Sequence, residues 1–373
     1  MHQSYSVAEI AEALGAPAEG DLDLRISGAA EPATAGPDHL ALAMDQKYAG
    51  GLAAGQARAA VLWQGADWRA LGLKAAIFVG RPRVAMSAIT RRLDPGPAIA
   101  PGIHPTVIIG EGARIADDAA IGPYTVIGEA VEIGAGARVA GQVTIGAGSR
   151  IGNHALIHPG VRIGRNVHIG DRFICQPGAV IGSDGFSYVT PEKSGAETVR
   201  ETLGQQAEIS KQKWLRIHTL GGVVIGDDVE IGSNATIDAG TIRATVIGNG
   251  TKLDNLVHLG HNVTVGEDCL LCGQTGIAGS ARIGDRVILG GQAGVADNIF
   301  VGDDVIAGGG TKIMSNAPAG RVLLGYPAIK METHIQAWKN IRRLDRLFAQ
   351  VAELRAAVAG TVQKGKKGAG DDD

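Results

Sequence analysis

A parallel β-helix of six-residue repeats, flanked by a small α/β domain and a C-terminal helical extension, is the fold class this sequence predicts. Three observations predict it. An aliphatic residue recurs at every sixth position through most of residues 101–320. Glycine follows many of these residues. The flanks lack the repeat and carry the apolar spacing of ordinary helices and strands.

Counting in sixes from Ile103 reaches Ile109, Ile115 and onward to Ile181, fourteen positions that are all aliphatic except Cys175. A second run passes Ile225, Ile231 and Ile237, then resumes at Ile247 and continues through Leu253, Leu259, Val265, Leu271 and Ile277 to Ile313. An α-helix cannot hold a six-residue repeat on one face, because 3.6 does not divide it. A triangular prism can. Each hexapeptide forms one side, its aliphatic residue points inward, and the small residue after it lets the chain turn. Three hexapeptides close a coil, coils stack at about 4.8 Å, and the count gives about nine coils.

The repeat breaks twice. Residues 183–222 carry no ladder and form a long excursion, of the kind that is usually functional or flexible. Between Ile237 and Ile247 the spacing is ten, which marks an irregular corner.

The N-terminal flank, residues 1–100, reads as a separate α/β domain. Ser6 and Glu9 form a capping box that opens a helix through about Leu14. "RAAVLW" and "KAAIFVG" read as buried strands, and "RVAMSAITRRL" as a helix. After the prism, residues 321–373 hold a helix over about 330–358, with Ile341, Leu344, Phe348, Val351 and Val358 on a packing stripe. Lys339, Arg342, Arg343 and Arg346 lie on or beside the opposite surface, and the tail GKKGAGDDD reads as disordered.

The chain's 373 residues carry 35 Lys+Arg against 38 Asp+Glu, a formal charge of −3, which gives no electrostatic case for nucleic acid. The N-terminus lacks the basic and apolar regions of a secretory signal. No apolar run approaches the roughly 20 residues that cross a bilayer. Three cysteines, Cys175, Cys269 and Cys272, do not make a disulfide framework. The expectation is a cytoplasmic protein with no stable membrane insertion.

Chemistry gathers in "DNLVHLGHNVTVG", residues 254–266. His261 falls on a corner of its coil and projects outward. One coil later the register reaches Gly279, whose N–H is open to a ligand for want of a side chain. A histidine base with an open backbone donor above it suits acyl transfer, which needs a proton acceptor and an oxyanion donor. A corner histidine bonded to a turn fits the residues equally well. Asp254 either orients His261 or is a solvated turn carboxylate. Zinc needs three convergent ligands, whereas His258 and His261 offer two and point apart, so no metal is expected. Cys269 and Cys272 read as fillers of core or face.

"GSDGFSY", "TID.G", "GTKLDNLVHLGHNVTVG", "CGQTGIAGS.RIGDRV.LGGQAGVAD" and "GYPA" together resemble the UDP-3-O-acylglucosamine N-acyltransferases of lipid A synthesis, over essentially the whole chain. The resemblance implies a left-handed coil, an exception to the usual crossover rule. It also implies a homotrimer that moves a 3-hydroxyacyl chain from acyl carrier protein to the 2-amine of a UDP-sugar lipid. No cofactor of its own is implied, since the 4'-phosphopantetheine belongs to the carrier. His261 matches the family's general base and Gly279 its oxyanion donor. The segment "LALAMDQKY" corresponds to the uracil-binding part, bringing in Leu42, Asp45, Lys47 and Tyr48. Phe186 and Tyr188 of the excursion, with His258 and Asn298, complete the substrate-contact candidates. The chain departs from the family at Leu42 (often aromatic), Asp45 (often asparagine), Ala239 (commonly arginine), His258 (commonly glutamine) and Asn298 (often histidine). Arg342, Arg343 and Arg346 suit an acidic carrier protein, and a solvated helix face explains them equally well. An O-acyltransferase acting one step earlier, a CoA-dependent sugar acetyltransferase and a non-catalytic β-helix scaffold are the competing readings.

Overall fold

The computed structural model describes residues 4–202, 211–325 and 328–367. It divides into two compact units, Met1–Ala98 and Ile99–Asp373. Tyr326 and Pro327 of the GYPA motif and the last six residues of the tail lie outside the described residues.

In the N-terminal unit, strands Ala18–Gly20, Ala75–Val79, Ala59–Trp63, His39–Ala43 and Gly28–Ala30 form one sheet in that order. Only the first pairing is antiparallel. The helix Val7–Leu14 opens on the capping box, with Ser6 Oγ accepting from Glu9 N and Glu9 Oε2 accepting from Ser6 N. It packs with the helix Pro82–Leu93 against one face, burying Val7, Ile10, Ala85 and Ile89 on Leu40, Val61 and Ile77. Alternation along the strands sends Ala41, Ala60 and Leu62 to a second apolar cluster with Trp68. The strand His39–Ala43 carries no strong period-two signal, and "LALAMDQKY" gave no sequence sign of it.

The second unit is the β-helix. Its two-to-four-residue strands stack into three parallel sheets of nine, eleven and ten strands, which makes nine to eleven coils. Inward residues pair one coil on, as in Ile127↔Ile145 and Leu259↔Ile277. Ile169↔Ile225 bridges the excursion, and Ile237↔Leu259 absorbs the irregular corner. A second inward ladder, two residues before the first, is also buried: Val131, Ala137, Val143, Ala155, Val161 and Phe173. Two ladders per side, rather than one, exclude water from the prism and supply the burial that makes the stack cohere.

The turns differ in detail from the expected ones. Left-handed backbone recurs every six residues at the third position after the inward aliphatic, for example at Gln142, Gly148 and His154, and on one corner at Asn262, Ser280 and Asn298. The glycines directly after the aliphatics are needed for another reason. A Cβ on Gly128 would stand 2.6 Å from Ala147 N of the next coil. Close approach of stacked coils, not positive φ, selects glycine there.

The excursion holds an antiparallel pair, Tyr188–Val189 with Leu215–Arg216, and a helix Gly195–Thr202. The expected single C-terminal helix is two, Met331–Ile341 and Leu344–Lys367, interrupted at Arg342 and Arg343. The residues of its apolar stripe are exposed, Phe348 by 68%. The second helix continues through Lys367, into the segment expected to be disordered. Among the described residues no helix is long and apolar enough to cross a membrane.

Candidate active site

One edge of the prism carries the candidate chemistry, and its neighbouring edge shows by contrast why. On that neighbour, backbone N–H groups at the corner are capped by Asn or Asp side chains from the next coil: Asn153 Oδ1 takes Ala135 N, Asp171 Oδ1 takes Asn153 N, and Asp285 Oδ1 takes Glu267 N. On the His261 edge the equivalent N–H belongs to Gly279, and it meets no acceptor among the described residues. Other N–H groups of this edge, such as those of Glu129 and Ala147, are uncapped too among the described residues, and Gly279 is the one that lies against His261.

His261 lies between two glycines. A Cβ on Gly279 would come 2.7 Å from His261 Nε2, and one on Gly185 of the excursion 2.6 Å from His261 Cβ. Neither side chain could exist without displacing the imidazole. Gly185 is held by a bond from its N–H to Thr219 Oγ1 at 3.0 Å.

The imidazole's orientation comes from its neighbour in sequence. His261 Nδ1 is 3.0 Å from Asn262 Oδ1. Asn262 is 8% exposed and its amide is fixed: Nδ2 donates to Arg243 O at 2.9 Å and Oδ1 accepts from Thr241 N at 3.1 Å. The oxygen can only accept, so Nδ1 carries the proton and Nε2 keeps a lone pair. Nε2 has no hydrogen-bond partner among the described residues and faces Gly279.

Asp254 is a turn carboxylate, the second of its two expected readings, and makes no bond to His261. It follows the inward Leu253 and so stands on a different corner, where Oδ2 accepts from Gly273 N at 2.9 Å and Oδ1 from Asn255 N.

A cleft of about 880 Å³ opens over this edge. It unites His258, His261, Gly279 and Asn298 with Phe186 and Tyr188, whose rings meet edge-on at 5.0 Å. The two histidines, which the register sends along different vectors, thus share one cavity. Trp214, Asp297 and Asp238 also line it. Asp238 was not singled out from the sequence, although it stands in the "TID.G" motif. It is 5% exposed, and burial raises its carboxyl above the usual range against the opposing pull of Ser183, His258 and His261.

The remaining candidates lie elsewhere. In the N-terminal unit Lys47 Nζ is 3.5 Å from Asp45 Oδ2 and 4.9 Å from the centre of the Tyr48 ring, while Leu42 packs half-buried on the domain core. Arg342 and Arg343 in the break between the C-terminal helices and Arg346 just beyond it are exposed and do not line the cleft. Cys269 occupies the second inward ladder, donating to Gly284 O, and Cys272 is half-buried. Among the described residues no three His, Cys, Asp or Glu side chains converge as a metal site would require.

A hexapeptide prism with a corner histidine facing an uncapped backbone N–H on one edge fits the acyltransferases of the hexapeptide-repeat class. Residues 244–279 match the family model for bacterial transferase hexapeptide (six repeats), and residues 103–190 that for the GMPPB C-terminal domain. The UDP-3-O-acylglucosamine N-acyltransferase of Ruegeria pomeroyi is 63% identical over 356 residues, covering 95% of this chain and 98% of its own. The enzyme of that name from Paracoccus denitrificans is 62% identical, covering 97% and 99%. This chain belongs to the UDP-3-O-acylglucosamine N-acyltransferase family. Among solved structures, UDP-N-acetylglucosamine O-acyltransferase from Moraxella catarrhalis RH4 is similar at 30% identity over 65% of this chain and 83% of that one, with a TM-score of 0.43.

Proposed function

We propose that this enzyme transfers a 3-hydroxyacyl chain from acyl carrier protein to the 2-amine of UDP-3-O-(3-hydroxyacyl)glucosamine, a cytoplasmic step of lipid A synthesis carried out by a homotrimer. His261 is the general base and the Gly279 N–H the oxyanion donor. One observation carries this reading: Nδ1 of His261 is committed to Asn262, which leaves an unprotonated Nε2 facing an uncapped backbone donor.

The amine nitrogen attacks the thioester carbonyl carbon while Nε2 accepts a proton from that nitrogen. The carbonyl oxygen takes up the displaced electron pair beside the Gly279 N–H, in a site where a preorganised donor needs no reorganisation. Collapse breaks the C–S bond, and the imidazolium returns its proton to the departing sulfur. Phe186, Tyr188, His258 and Asn298 supply contacts to the substrates in the cleft. Leu42, Asp45, Lys47 and Tyr48 receive the uridine, where the Lys47 ammonium suits the diphosphate.

The test is direct incubation of hydroxyacyl carrier protein with UDP-3-O-acylglucosamine, comparing wild type with His261→Ala. Transfer by the wild type and its loss in the variant are expected. Undiminished transfer by the variant removes His261 as base, and a wild type without transfer removes the function.

A further inference from the structure

Asp238 presents a carboxylate oxygen to the cleft with no donor on it. Its side chain is 7% exposed. Oδ1 accepts from Ser183 Oγ at 2.7 Å. Oδ2 lies 3.9 Å from His258 Nε2, too far for a hydrogen bond, and no other described residue donates to it. No fully buried side-chain oxygen or nitrogen lacks a partner among the described residues, so Oδ2 reaches the cleft surface. The described residues that line this cleft include the carboxylates Asp238, Asp297 and Glu197 but no lysine or arginine. Asp184 nearby is ion-paired with Arg216 at 2.6 Å, and His258 and His261 are the titratable bases beside Asp238. The bare, nearly buried oxygen of Asp238 suits a cationic partner.

We propose that Asp238 Oδ2 and His258 Nε2 together dock the acceptor's amino group, and that His258 removes its first proton. The inference rests on the N-acyltransferase reading. Two contacts of about 2.9 Å from one nitrogen close a triangle on the 3.9 Å gap, so a single amine satisfies both acceptors. Two protons leave the acceptor, and a second base lets both leave within one bound complex. An ammonium must lose one proton to become a nucleophile and another as the C–N bond forms. If His261 took the first, it would be an imidazolium and would have to shed that proton before taking the second. His258 fits the first step because its side chain is 51% exposed and can pass the proton to water. One N–H bond breaks, its electron pair stays on nitrogen, and His261 remains neutral for attack.

The experiment measures binding of UDP-3-O-acylglucosamine and of its N-acetylated counterpart, which has no ionisable amine, to wild type and Asp238→Asn. The variant is isosteric and keeps an oxygen for Ser183. It is expected to lose at least about tenfold in affinity for the amine, the size of one charge-assisted hydrogen bond, with affinity for the N-acetylated molecule unchanged. Equal amine affinity in the two proteins overturns the docking role while leaving the transferase reading intact. A wild type that neither binds nor acylates the amine overturns that reading itself. His258→Gln, which can accept a hydrogen bond but not a proton, separates the second role. Its amine affinity should hold while the pH profile of kcat moves upward, toward conditions where the amine is already neutral. An unmoved profile removes His258 from the proton path.

Discussion

Gly279 sits so close over His261 that a Cβ on it would stand 2.7 Å from Nε2. The backbone of Gly279 is not in the left-handed region, so alanine would be tolerated by φ and resisted only by the imidazole. Gly279→Ala therefore tests the site rather than the fold. The methyl group pushes the ring aside and covers the N–H. We expect kcat to fall by roughly 100-fold or more, as when an oxyanion donor is lost or a base displaced by about 1 Å. The melting temperature should change little. Thermal denaturation beside steady-state kinetics checks both, and a variant with near-normal kcat would deny the Gly279 N–H its role.

Asn262 sets the tautomer of His261 and is itself held by Arg243 and Thr241. Its φ of 62° makes glycine the substitution that removes the side chain without backbone strain. In Asn262→Gly the imidazole loses its acceptor and both tautomers populate. We expect kcat/KM to fall by roughly 100-fold, the lower end of what a correctly positioned base contributes. Nitrogen-15 NMR of labelled histidine should show a protonated Nδ1 and bare Nε2 at His261 in the wild type, and a mixture in the variant. A single unchanged tautomer would assign the orientation to some other contact.

The prism was legible because its physics is one-dimensional: an inward residue six positions on must again be apolar. Adding one coil to His261 found Gly279 for the same reason. Asp297 and Asn298 follow by the same count, while Asp238 and Gly185 lie where that arithmetic fails. His258 pairs with Thr236 across the irregular corner, so Asp238 is displaced from any 18-residue count. Gly185 belongs to the excursion, which has no period at all. Asp254, seven residues from His261 in sequence, stands on another corner in space, which decides its two open readings for the turn carboxylate. The Asn/Asp ladder that caps the neighbouring edge is visible in the sequence only once the left-handed corner position is known.

Asp238 also makes a prediction for stability. Burial is the largest influence on its carboxyl and raises it above the ordinary 3.8. Between the unfolded and folded values the native chain holds a proton that the unfolded chain has released. Native stability therefore falls as pH rises through that window and stays reduced above it. Asparagine does not ionise, so Asp238→Asn should melt no lower than wild type near neutral pH, with its advantage shrinking as pH falls through the carboxylate range. Thermal denaturation across that range reads it out. A variant that melts well below the wild type at neutral pH would mean that the carboxylate holds the fold together rather than the substrate.

The break between Met331–Ile341 and Leu344–Lys367 places Arg342 and Arg343 in the interruption and Arg346 in the first turn beyond it. All three are exposed, and none pairs with an acid among the described residues. Exposed charges of one sign act mainly on encounter, so an acidic carrier protein would feel them in its association rate more than in its dissociation. Reversing all three to glutamate should raise KM for the acyl carrier protein by about tenfold or more at low ionic strength, with affinity for the UDP-sugar acceptor unchanged. The deficit should fade with added salt, as the Debye length shrinks from about 10 Å at 0.1 M to about 3 Å at 1 M. Glutamate near a helix C-terminus also opposes the helix dipole, so a triple glutamine variant is the necessary companion. It removes the charge without that conflict and should fall between wild type and the reversal. If the glutamate variant keeps its KM and its salt dependence, the three arginines are a solvated face and the carrier docks elsewhere.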